Sequence, residues 1–185
     1  VGQLDSVIDE ALGLDTALVE WALSLDSRWQ YTVLPVTSDD QGCYGDYYHI
    51  YPDHVASLLW SNYRCIRLAI HAIICGLCEE LSSHRDAESD KRSNFRRLAS
   101  QSARVQKQLA EDMCASVPTN INTDGSRFTG GMALRFIWPL FTAANCEGSS
   151  AEIRSWITRC LEKIGEELGI QQASAMARIL REGGL

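Results

Sequence analysis

Along the stretch from Asp53 to Glu80, Trp60, Arg64, Arg67, His71 and Cys78 recur at helical spacing and share one face at about 100° per residue. Val55, Leu59, Ile66, Ile70, Ile73 and Leu77 share another face, roughly a third of a turn away. Two arginines and a histidine in line on an otherwise apolar helix need hydrogen-bonding partners, a ligand or a solvated groove. Two readings stand. In the first, Arg64 stacks on Trp60 one turn away, and both arginines pair with loop carboxylates or helix C-terminal carbonyls. In the second, the stripe lines a pocket for a polar or anionic small molecule. The candidate ligand-binding residues are Trp60, Tyr63, Arg64, Arg67 and His71. Trp138 joins them because it precedes Pro139, which can kink a helix and open a cavity. The stripe is expected at an interior groove or interface, facing Asp39, Asp40 and Asp46, the tyrosine-rich loop before Pro52, or an anionic ligand.

Other constellations are weaker. Cys75 and Cys78 have the two-residue spacing of zinc and redox sites, but the next cysteine is Cys114 and no second such pair follows. A four-ligand zinc site cannot be written, so no metal is expected. The four histidines are scattered, with no i, i+4 pair. Asp39-Asp40 and Glu79-Glu80 are adjacent pairs, whose side chains diverge on a helix. The chain has no glycine-rich phosphate loop, nucleophile elbow or HExxH. Gly130-Gly131 before a helix could bind an anion through free amides, but a plain helix start is the preferred reading. No catalytic set emerges.

The elements that must position the stripe are helical. Leu4 to Leu25 predicts a helix or a broken pair, with Asp15-Thr16 as a second start after Gly13. Residues 26–52 lack helical period and hold Tyr31, Tyr44, Tyr47, Tyr48 and Tyr51, so they predict a long aromatic loop packed over the helices. Tyr31 to Val36 is the only strand-like run, limited by Pro35. A central helix follows over roughly 54–82, capped by Asp53. His84 to Ser93 predicts a flexible connection, and Asn94 to Val117 a third helix stopped by Pro118. Residues 118–130 read as a loop. Gly131 to Asn145 predicts an apolar helix kinked or split at Pro139. Ser149 with Glu152 has capping-box spacing before an amphipathic helix from Ile153 to Leu168, ended by Gly169. Ile170 to Arg181 predicts a last short helix. The expected class is all-α: about six helices in antiparallel pairs around a long central helix, forming one domain over 1–185.

Composition bounds the function. Hydrophobic residues make up 45% and charged residues 22%, an ordinary globular balance. A net charge of −7 opposes unassisted binding to nucleic acid or an anionic membrane. The charge is uneven: residues 1–53 hold ten acidic residues and only Arg28, whereas Arg85 to Lys107 is basic. Seven cysteines, most within apolar helical segments, read as free thiols of a reducing compartment. No secretory or membrane-spanning segment is evident; Arg67 and His71 interrupt the best candidate, Cys65 to Cys78. A soluble intracellular protein is expected. A first residue of Val1 suggests a piece of a longer chain.

Five segments in order carry a family likeness: LDTALVEWALSLDSRWQY (14–31), YYHIYPDHVASLLWSNYRCIRLAIHAII (47–74), LAEDMCASVP (109–118), GGMALRFIWPLF (130–141) and IRSWITRCLEKIGEELGIQQASAMA (153–177). Together they resemble the C-terminal fungal-specific transcription factor domain of binuclear zinc cluster (Zn2Cys6) regulators, across nearly the whole chain. Asn62, Tyr63, Arg64, Arg67 and His71 match the family pattern around the central helix. The resemblance implies an all-helical regulatory and protein-interaction domain of a nuclear protein, of a kind common in fungal secondary-metabolism gene clusters. It implies zinc only in a separate N-terminal DNA-binding module absent here, so no cofactor in this chain and DNA contact only through that module. It carries no catalytic residues. The partners it allows are a small-molecule effector, a second copy or a transcriptional co-regulator, with no membrane. The alternative is a stand-alone helical small-molecule-binding protein or enzyme on the same scaffold.

Overall fold

The computed structural model describes residues 2–37, 42–83, 89–120 and 130–183. The fold is all-α. Among the described residues, six long helices are joined by a 3-10 turn, one single-turn α-helix and one two-stranded ribbon: α1 (Gly2–Ser24), β1 (Thr32–Pro35), β2 (Tyr47–Ile50), α2 (His54–Ser83), α3 (Ser89–Ala115), α4 (Val117–Asn120), α5 (Gly130–Asn145), α6 (Ala151–Leu168) and α7 (Gln171–Arg181).

Helix α2 is the element around which the rest is placed. Its start follows from Asp53, whose Oδ1 accepts the amides of Val55 and Ala56, both at 2.8 Å. This satisfies two of the donors orphaned at a helix N-terminus. Its inward face carries the polar stripe, as expected, while the apolar row is divided, with Ile70 buried and part of the row turned outward. Val55, Ile66 and Ile73 are about half exposed, whereas Arg64 is 1% and His71 4% exposed. The buried arc runs through Ala56, Trp60, Arg64, His71, Ile74 and Cys78, so the polar stripe lies at its middle. Counting apolar side chains misjudges this face because the arginines find partners in α1 and the ribbon once the chain is folded. Among the described residues, no packed element covers Ile66 and Ile73 at the back.

Three apolar clusters meet α2. The largest joins Leu68 to α3, α5, α6 and α7 through Leu109, Met113, Phe136, Leu140, Ile157 and Leu161. A second packs Ile8 and Ala11 of α1 against Ile70, Ile74, Cys78 and Leu81. The third sets Ala22 of α1 beside Tyr51, Trp60 and Tyr63. Because both halves of α1 contribute, the helix runs unbroken through Gly13, whose cost of about 1 kcal/mol is offset by packing on either side. Asp15 is therefore not a second cap but a mid-helix residue.

The tyrosine-rich segment is more ordered than a loop. A 3-10 turn (Ser27–Trp29) leads into β1, which pairs antiparallel with β2 in the register Thr32↔Ile50, Val33↔His49 and Pro35↔Tyr47. In β2, His49 is buried and Ile50 exposed, the alternation a strand imposes. Pro35 is tolerated because a two-stranded ribbon consists of edges.

Other boundaries shift for local reasons. Helix α3 begins at Ser89, ahead of the expected Asn94, so residues 89–93 of the expected connection are helical. It ends at Ala115, before Pro118, which falls inside the single turn α4. Residues 84–88 of the connection and 121–129 of the expected loop lie outside the described residues, as do Asp39 and Asp40. Helix α5 continues through Pro139 without splitting, since proline removes a single donor. The cap of α6 is Ser150, not Ser149: its Oγ accepts from the Ile153 amide at 3.2 Å. Gly169 ends α6 at φ +67°, a left-handed conformation suited to glycine. A Cβ at Gly165 would collide with Ser174, so α6 and α7 pack at glycine contact.

Candidate functional site

Arg64 is among the largest fully buried side chains of the protein. Its Nη1 donates to Tyr51 Oη at 2.7 Å and to Ser116 Oγ at 3.0 Å, and its Nη2 lies 3.2 Å from His49 Nδ1. Ser116 in turn donates to the Asp112 carbonyl at 2.8 Å. Its oxygen is thereby left to accept, so the 2.7 Å contact with Tyr51 carries the phenol proton. The guanidinium lies against the Tyr31 ring (5.1 Å to the centroid) and the Trp60 ring (5.8 Å), the second being the stacking that their spacing predicts. Trp60 is fixed by its indole N–H, which donates to the Trp29 carbonyl at 2.7 Å.

Every partner of Arg64 in this network is neutral. Burial and the Arg64 charge depress the His49 pKa from 6.5 to about 3. His49 is therefore an uncharged imidazole whose Nδ1 accepts from Arg64. Burial opposes the Arg64 charge, but the adjoining phenol oxygens of Tyr51 and Tyr31 and the field of the Asp112 carboxylate outweigh it, and the guanidinium stays protonated. Among the described residues no carboxylate reaches hydrogen-bonding distance of Arg64. Two of its five N–H donors, that on Nε included, have no acceptor among the described residues.

Arg67 is handled differently. Its Nε and Nη2 grip Asp15 Oδ1 and Oδ2 at 2.6 and 2.9 Å, a bidentate pair, and its Nη1 donates to Tyr63 Oη at 3.2 Å. Burial works against the Asp15 carboxylate, yet Arg67 and His71 hold its pKa below 3.8. His71 Nε2 stands 3.4 Å from Asp15 Oδ1, an electrostatic contact without hydrogen-bond alignment. Burial lowers the pKa of His71, so it too is held toward its neutral form. The partner of this pair comes from α1; Asp46, one of the carboxylates expected to serve, is exposed.

A cavity of about 610 Å³ opens between α1, β1, α2 and α3, walled by Gln30, Tyr31, Trp60, Tyr63, Arg64, Arg67 and Asp112. Four expected site residues, Trp60, Tyr63, Arg64 and Arg67, line it. His71 lies deeper, against Asp15, and does not. Trp138 belongs elsewhere: it is 58% exposed and borders a smaller apolar groove of about 230 Å³ with Leu68, Ala72 and Phe141. Its neighbour Pro139 is buried in an unbroken helix, so no kink-made cavity joins it to the arginines. Periodicity along α2 passed over Tyr31, His49, Tyr51, Asp112 and Ser116. Only the crowding of tyrosines before Pro52 signalled that this segment packs on the helix.

The described groups at the cavity wall offer hydrogen bonds, charges and aromatic faces. Asp112 Oδ1 accepts from Tyr47 Oη at 3.0 Å and Gln108 Nε2 at 3.2 Å, while its Oδ2 has no partner among the described residues. The thiols are free, and burial pushes Cys65 and Cys146 up to about 11 and Cys75 and Cys160 to about 12, far above the range of a reactive thiolate. Among the described residues no cluster of three His, Cys, Asp or Glu could hold a metal ion, and no helix is long and apolar enough to cross a membrane. Comparisons with protein-family models, curated proteins and solved structures find no match to this chain.

Proposed function

We propose that this chain is a regulatory and protein-interaction domain of a fungal zinc cluster transcription factor, acting in the nucleus and responding to a small-molecule effector. The reading rests on the ordered resemblance of its five segments, and one structural observation supports the effector: a buried, protonated Arg64 with unused donors beside a cavity of about 610 Å³. That volume falls within the roughly 300–1,000 Å³ of small-molecule sites. Elements from both ends of the pocket wall, α1 and the ribbon, converge on α2. An occupant that bridges them would stabilise their packing on α2 by binding that arrangement preferentially. Zinc and base recognition would belong to a separate module, with a second copy or a co-regulator as the protein partner.

The test is a tethering assay. Residues 1–185 are fused to a heterologous DNA-binding module in a fungal reporter strain. The expected outcome is reporter output that differs from the module alone. Output indistinguishable from the module alone, across growth on varied carbon and nitrogen sources, would reject the regulatory reading. The cavity itself favours a second reading, a stand-alone helical small-molecule-binding protein, which that negative outcome would promote.

A further inference from the structure

The cavity wall carries two charges of opposite sign, each with hydrogen-bonding capacity left over among the described residues. Arg64 presents two N–H donors without acceptors and Asp112 an Oδ2 without a donor, among the described residues. The two groups feel one another's charge but do not meet in a hydrogen bond. The rest of the wall includes the rings of Tyr31 and Trp60, which meet edge to face at 4.8 Å, with Leu23 and Val33 at its exposed margin. A simple anion would satisfy Arg64 and face Asp112 unfavourably; a simple cation would do the converse. A group carrying both charges can satisfy both at once.

We infer that the pocket binds a free α-amino acid with a large apolar or aromatic side chain. Its carboxylate accepts from Arg64, its ammonium donates to Asp112 Oδ2, and its side chain stacks against Tyr31 and Trp60. This deepens the effector reading above and rests on it for its regulatory meaning. The binding claim stands on the cavity alone. Specificity follows from the same accounting. An analogue lacking either charge leaves the matching group of the wall partly desolvated and unpaired, which costs more than the lost contact itself.

Isothermal titration of the full chain with L-phenylalanine, phenylacetate, phenethylamine and L-alanine tests this. L-phenylalanine is expected to bind roughly tenfold or more tightly than any of the other three. Asp112→Asn keeps an oxygen for Tyr47 and is expected to bring L-phenylalanine down to the affinity of phenylacetate. Phenylacetate matching L-phenylalanine would overturn the proposal in favour of a plain anion site. Phenethylamine matching it would mean a cation site, L-alanine matching it would remove the role of the rings, and no heat with any of the four would leave the cavity without such a ligand. The native-protein series decides the matter even where the variant is unstable. A reporter that responds while no amino acid binds would sink the ligand class and keep the regulatory domain; binding with a silent reporter would do the reverse.

Discussion

The two halves of the protein are held together by different chemistry. On the side of α5, α6 and α7, the interior is aliphatic: Leu140, Ile153, Ile157, Leu161 and Ile164 are almost wholly removed from water. On the side of α1 and the ribbon, the apolar cluster around Ile8 and Ile74 is joined by a network of Arg64, Arg67, His49, His71, Asp15 and tyrosines. Side-chain volume decides the first half and hydrogen-bond geometry the second. An aliphatic core tolerates rearrangement and loses stability by degrees, whereas a buried cation either keeps its partners or is expelled.

Substitutions in each half measure that difference. Leu161→Ala, in the aliphatic half, is expected to cost the most, about 4 kcal/mol in urea unfolding, within the range for large-to-small changes at fully buried leucines. Arg67→Ala strands Asp15 beside His71 and is expected to cost about 3 kcal/mol, the lower end for breaking a buried pair because both partners keep some exposure. A smaller loss on adding Asp15→Ala to Arg67→Ala than Asp15→Ala causes alone would confirm the coupling. Should Arg67→Ala prove costlier than Leu161→Ala, the ranking of the two halves reverses.

Acidity separates them further. His49 has a folded pKa of about 3 against an ordinary 6.5, so between these values the unfolded chain binds a proton that the folded chain refuses. Stability is therefore full above pH 6.5 and falls as pH drops, by about 2 kcal/mol at pH 5. His71 acts in the same direction, while Asp15, lowered from 3.8, matters only at still lower pH. Urea midpoints at pH 7 and pH 5 measure this, and His49→Gln is expected to flatten the dependence. The smallest effect is expected at the back of α2: Ile73→Gln, at a half-exposed position, should change stability by under about 0.5 kcal/mol. A loss above about 2 kcal/mol there would mean that the isoleucine row is covered after all.

The aliphatic half was the legible one. Ile153 through Leu168 repeats apolar residues at helical spacing, and burial follows that spacing, so α6 and its glycine stop were readable while only the capping serine slipped by one position. The polar half was legible in its membership but not in its orientation. Trp60, Arg64 and Arg67 stand out by type, and their cover was foreseeable from the cost of burying a charge. Their partners were not: Asp15 lies 52 residues from Arg67, and Ser116 lies 52 from Arg64. Residues that far apart meet only after the helices pack, and no local pattern encodes that meeting. For the same reason Val55, Ile66 and Ile73 point the wrong way in a periodicity count, which scores side chains without knowing which polar ones will be satisfied.

Helix α2 contributes to all three apolar clusters, with Leu68 in one, Ile70, Ile74, Cys78 and Leu81 in the next, and Trp60 and Tyr63 in the third. Its amides cannot open to solvent without dissolving the contacts of every cluster together. Hydrogen exchange along the middle of α2 should therefore require the whole fold to open, whereas the ends of α1 and α7, each anchored by fewer of these contacts, can fray on their own. A ligand that stabilises the pocket would then slow exchange as far away as Leu81, with no rearrangement passing along the helix, because both ends report the same unfolding event.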